Sequence, residues 1–157
     1  MGGAALALLG SGVPACSSPP APPAVDELEA QLTLARRDSE LATAAAVGAS
    51  QPVNAALAEV AAERTKHAQA LTTEIARLAV NPTSTSREMT TPTTPTPAAA
   101  APPPPLADVV RSLRASADSA RQLAGTSSGY RAGLLGSIAA SCTASYTVAL
   151  AFGATSS

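Results

Sequence analysis

Apolar residues recur at helical spacing in four stretches of this chain, and prolines divide those stretches from one another. Of the 14 prolines, eight lie between Pro82 and Pro105 and four between Pro19 and Pro23; Pro14 and Pro52 are the other two. Proline breaks a helix interior but is tolerated in its first turn, so the proline-free stretches 25–50, 53–81 and 106–157 are where helices belong. In the first, Val25, Leu28, Leu32, Ala35, Ala42 and Ala46 share one face, widened by Leu34 and Leu41. Asp26 and Glu29 form a D-x-x-E start signal, and Gly48 with Ser50 marks the stop, which predicts a helix over 26–47. Pro52 then opens a second helix over 52–79, with Val53, Leu57, Val60, Leu71, Ile75 and Leu78 inward. So short a connection makes an antiparallel helical hairpin.

The third helix is expected over 106–124, with Leu106, Val109, Val110, Leu113, Ala117, Ala120 and Ala124 inward and Gly125 as the C-terminal cap. A short turn leads to a fourth helix over 130–152, which carries no charge after Arg131. Between the hairpins, Asn81–Pro105 is low-complexity Thr/Pro/Ala with almost nothing to bury, and is expected to be disordered or polyproline-like. Its threonines are also the composition of an O-glycosylated stalk. The predicted fold class is therefore all-α: a four-helix bundle of two antiparallel hairpins joined by a long crossover, the connectivity of ferritin-like folds. The predicted division is 1–24 as leader and tether and 25–157 as bundle.

The fourth helix admits two readings. Ala132–Ala154 is long enough to span a bilayer, which makes a C-terminal membrane anchor the alternative localisation. However, it holds Ser137, Ser141, Thr143, Ser145 and Thr147, has few large apolar residues and no basic flank. Without it the other helices would expose their apolar stripes, so a centrally buried bundle helix is the expectation. Cys142 is then an inert buried thiol.

At the amino terminus, Met1–Gly12 is apolar and is followed by Val13-Pro14-Ala15-Cys16. Small residues before a cysteine resemble a bacterial lipobox, in which Cys16 is acylated and becomes the mature first residue. No Lys or Arg precedes the apolar run, and Gly-Gly-Ala-Ala-Leu-Ala-Leu-Leu is like the segment that follows a twin-arginine pair, so the true start is expected upstream. Ser17–Ala24 has four prolines in eight residues, an extended spacer that lifts a domain off the head groups. The expected localisation is the extracytoplasmic face of the cell membrane, with membrane lipid as partner through the acylated Cys16.

Composition narrows the chemistry. A formal charge of −1 with 13% charged residues leaves no basic footprint for nucleic acid. Alanine supplies 38 of the 157 residues and aromatics only 2%, which suits close helix packing and not an aromatic-lined pocket. The single histidine, His67, follows Arg64 and not Glu at i−3, and helix 4 has no carboxylate, so a di-iron site is not expected, nor any cofactor. A lone metal held by Glu63, His67 and Glu40 is the weaker alternative. No nucleophile-elbow, phosphate-loop or C-x-x-C pattern occurs, and no enzyme is predicted. Arg64 and His67 nevertheless fall inside the apolar stripe of helix 2. Two uses follow. One is a polar cleft for an anionic ligand, with Glu63 and Glu40 beside it. The other, which the cost of an unpaired buried charge favours, is an internal network fixing helix register, with Glu40, Ser39, Ser141 or Ser145 as partner of Arg64. An unknown protein or small molecule is the remaining partner class.

The segments Glu63-Arg64-Thr65-Lys66-His67-Ala68-Gln69-Ala70-Leu71 and Leu134-Leu135-Gly136-Ser137-Ile138-Ala139-Ala140-Ser141-Cys142, in this two-hairpin layout, resemble the ferritin-like domain of unknown function of alanine-rich exported actinobacterial proteins. Nine Arg to one Lys fits the GC-rich coding of such organisms. The resemblance covers residues 25–80 and 105–153, and implies an extracytoplasmic bundle without metal ligands or assigned activity.

Overall fold

The computed structural model of the chain describes residues 25–80 and 102–151; Cys16, the whole 1–24 segment expected to be leader and tether, and most of the Thr/Pro linker lie outside the described residues. The described residues form four helices and no strand: α1 Val25–Ala46, α2 Gln51–Val80, α3 Leu106–Thr126 and α4 Gly129–Ala144, which continues through a π-helical turn, Ser145–Ala149. The architecture is an all-α helical bundle.

Local chemistry sets the ends. Asp26 and Glu27 lie in the first turn of α1, where carboxylates favour the positive end of the helix. At its other end the Asn54 side-chain amide donates to the Ala46 carbonyl at 2.8 Å, taking up one of α1's terminal acceptors from within α2. Four prolines lead into α3, whose first carbonyl partner is Pro105, accepting from the Asp108 N–H at 2.9 Å. α3 runs through Gly125 to Thr126, so the cap expected at Gly125 is not where the helix stops. Ser127 closes it instead, its hydroxyl and N–H donating to the Leu123 and Ala124 carbonyls. Gly129 alone among the described residues has a left-handed φ, +57°, and makes the sharp entry into α4 that a side chain would oppose.

Each helix buries one face at helical spacing, and in α1 the buried positions alternate strictly in steps of three and four. α1 buries Leu28, Gln31, Ala35, Asp38, Ala42 and Ala45; α2 buries Leu57, Val60, Arg64, Ala68, Leu71 and Glu74. α3 contributes Val109, Leu113, Ser116, Ala117 and Ala120, and α4 contributes Leu135, Ile138, Ala139 and Cys142. Seven core members are alanines, which lets backbones approach closely. The close pairs are α1 with α2, α3 with α4, and α1 with α3.

Cross-helix bonds fix the directions. Ser39 on α1 meets Thr65 on α2, and Gln31 meets Ser119 while Asp38 meets Ser112 and Ser116 on α3, so α1 is antiparallel to both. Glu63 and Glu74 on α2 meet Ser141 and Arg131 on α4, again antiparallel. α2 and α3 therefore run in the same sense.

α4 is not centrally buried. Gly129–Ala149 is the one span among the described residues long and apolar enough to cross a membrane, yet only 28% of its apolar window is buried inside the bundle. Gly133, Ser137, Ala140, Ala144, Thr147 and Val148 face outward. The bundle buries one face of this helix and leaves the other uncovered.

Candidate functional site

Asp38 and Arg64 occupy core positions of α1 and α2, and their side chains keep 0% and 2% of their exposure. Arg64 Nη2 lies 2.9 Å from Asp38 Oδ2. Ser116 donates to the same oxygen at 2.7 Å, and Ser112 to Oδ1 at 2.5 Å. One carboxylate thus takes a guanidinium from α2 and two hydroxyls from α3, which is what a buried anion needs to offset its lost hydration. Three helices converge on it.

The other side of the guanidinium meets His67. Arg64 Nη1 and His67 Nδ1 are 3.1 Å apart. A guanidinium has only donors, so Nδ1 accepts and the imidazole carries its proton on Nε2. Burial first, and then the Arg64 charge, push the His67 pKa down to about 4, against a smaller upward pull from Glu63. Arg64 Nε is buried without a partner. On the α4 side, Ser141 donates to Glu63 Oε2 at 2.7 Å, and Cys142 is fully buried nearby, its thiol pushed up to about 11 chiefly by burial. Such a thiol is not a nucleophile at neutral pH.

A second buried carboxylate, Glu74, lies further along α2. It accepts two bonds from Arg77 at 2.7 and 2.8 Å and faces Arg131 of α4 at 3.8 Å. The Arg77 bond holds its pKa below the usual carboxylate value in spite of burial. Toward the same end, the Gln31 amide donates to Ser119 on α3 at 2.6 Å.

The sequence-derived set Arg64, His67, Glu63 and Glu40 divides. The first three cluster on α2, with Arg64 bonded to His67 and Glu63 reaching across to α4. Glu40 does not join them. It is exposed on α1 and lines an open surface groove of about 320 Å³ with Arg36, Ser39, Thr65, Ala68, Gln69 and Thr72. The partner of Arg64 is Asp38, which lies on the inward face of α1 where Glu40 does not. Ser39 bonds Thr65 and the Ala61 carbonyl, and Ser145 bonds the Ser141 carbonyl, so neither serves Arg64. Asp38, Ser112, Ser116, Gln31 and Glu74 escape an apolar-stripe reading because they are polar. Their signal is spacing: 28, 31, 35, 38, 42 and 45 form an unbroken three-four pattern once polar members are admitted.

Among the described residues no three or more His, Cys, Asp or Glu side chains are grouped to hold a metal ion. The chain matches no protein-family model, no curated protein and no solved structure.

Proposed function

We propose that this chain is an exported, lipid-anchored helical bundle with ferritin-like connectivity and no di-iron centre, acting as a non-catalytic binding or structural module at the extracytoplasmic face of the membrane. The observation that supports the non-catalytic reading most is the Asp38–Arg64 pair. The inward polar positions, where a ferritin-like bundle would carry metal-binding carboxylates, hold an ion pair whose charges cancel and whose carboxylate is filled by Ser112 and Ser116. His67 is engaged by Arg64 through Nδ1. Ferritin-like connectivity is supported by α2 and α3 running in the same sense, which puts the end of α2 and the start of α3 at opposite ends of the bundle.

Export and anchoring rest on Val13-Pro14-Ala15-Cys16 and the proline-rich spacer after it. Metabolic labelling with a palmitate analogue tests this. Wild type takes up label and Cys16→Ser does not; equal labelling of both, or none in either, contradicts it. A second reading, anchoring through α4, draws on the uncharged outward face of that helix. Deleting 132–157 separates the two: a truncated protein that unfolds supports α4 as a bundle member, and one that stays folded but leaves the membrane fraction supports the anchor.

A further inference from the structure

We propose that His67 is an acid-responsive latch on the bundle core: protonation moves its ring from Arg64 to Glu63 and loosens the α2–α4 seam around Cys142. The argument begins with hydrogen-bond inventory. Arg64 can only donate, so its bond to His67 exists only while Nδ1 holds a lone pair. A proton taken from solvent onto Nδ1 removes that acceptor and sets an imidazolium against a buried guanidinium. Arg64 already has Nε without a partner, and losing the acceptor of Nη1 as well would leave it with Asp38 alone.

The surroundings give the charged ring one place to go. The charged groups that act on it are Arg64 and Glu63 on α2; Asp38 on α1 lies behind the guanidinium, and Cys142 on α4 feels these same three charges. On α3 the hydroxyls of Ser112 and Ser116 are both committed to Asp38. Glu63 is the nearest anion that still has a free choice. It lies four residues before His67, one helical turn away, and its present cross-helix partner is the neutral hydroxyl of Ser141. An imidazolium outcompetes that hydroxyl. The latch therefore trades a bond between α2 and α4 for one within α2, and the seam beside Cys142 is released.

The sign follows from the depressed pKa of about 4. The unfolded or opened form binds the proton more readily, so the closed form is fully favoured above the ordinary histidine value of about 6.5 and weakens as pH falls toward about 4. The inference does not depend on Cys16 acylation, because it concerns only the bundle.

His67 is the chain's single histidine, and in a Cys16→Ser background Cys142 is its single thiol. Both can be read in the full-length chain. The experiment measures the rate at which 4,4′-dithiodipyridine modifies Cys142 at pH 7 and at about pH 4.5, each divided by the rate for the denatured chain at the same pH. The expected result is a rise of this ratio by about tenfold or more on acidification with His67 present. His67→Gln keeps an acceptor but cannot be protonated, and its ratio stays flat. No rise with His67, or an equal rise in His67→Gln, overturns the proposal. Should His67→Gln label at pH 7 like the denatured chain, the imidazole signals of the parent protein decide. An Nε2–H tautomer at pH 7, titrating below about pH 5 with the midpoint of Cys142 labelling, sustains the latch; protonation at about pH 6 or above, or a different midpoint, overturns it.

Discussion

Arg64 has given up nearly all of its water, and the residues that replace that water decide which substitutions the core tolerates. Its two partners are unequal. Asp38 keeps two serine donors if Arg64 is removed. Arg64 without Asp38 keeps only the His67 acceptor and cannot lose its charge. Asp38→Leu should therefore cost about 3–5 kcal/mol in urea unfolding, and Arg64→Leu clearly less, on the order of 1–2 kcal/mol. The double variant Asp38→Leu/Arg64→Leu should recover most of the loss of Asp38→Leu alone, since an apolar pair of similar volume is often neutral. Equal costs for the two single variants would contradict this account. At this scale the sequence showed that a charge sits in the α2 stripe, because Arg64 interrupts a run of apolar residues. It did not show the partner, because Asp38 and Glu40 lie two residues apart and only the packing angle of α1 tells which faces inward.

At the scale of single elements, helix existence was written in proline placement and apolar spacing, and all four helices are present. The π-turn was not legible. Ser145 and Thr147 donate to the carbonyls of Ser141 and Thr143, and hydroxyls that back-bond in this way weaken the regular ladder. The turn widens over Ser145–Ala149, with the Leu150 N–H donating to the Ser145 carbonyl at 2.9 Å. Its extra residue has a packing consequence. Regular spacing from Cys142 and Ser145 would bury Ala149, but Ala149 is exposed and Leu150 is 1% exposed. The π-turn thus turns Leu150, the residue that follows it, inward. Leu150→Ala should cost about 2–4 kcal/mol, whereas Val148→Ala, at a site 58% exposed, should change stability by less than about 0.5 kcal/mol. Thermal or urea melts check both, and similar effects at the two positions would place α4 in a different register.

For the molecule as a whole, the joining of the two hairpins carries the account. Alanine-rich surfaces bring α1 close to α3, and the polar pairs Asp38–Ser112, Asp38–Ser116 and Gln31–Ser119 choose the register of that contact. α2 and α4 meet through longer side chains, Glu63 to Ser141 and Glu74 to Arg131. A two-hairpin bundle could be read from the sequence because proline content rises so sharply between Pro82 and Pro105. Which helices touch across the halves could not, since the deciding residues are polar ones at core positions and apolar periodicity passes over them. The same gap explains why α4 was expected at the centre: its lack of charge suggested full burial, whereas the bundle covers one face. The most direct test cuts the chain between the hairpins. With a site for a sequence-specific protease inserted between Pro92 and Pro97, cleaved protein is passed over a sizing column at neutral pH without denaturant. The two pieces should elute together at the position of the intact chain, because α1–α3 and α2–α4 contacts hold them. Separate elution of the pieces would contradict the bundle.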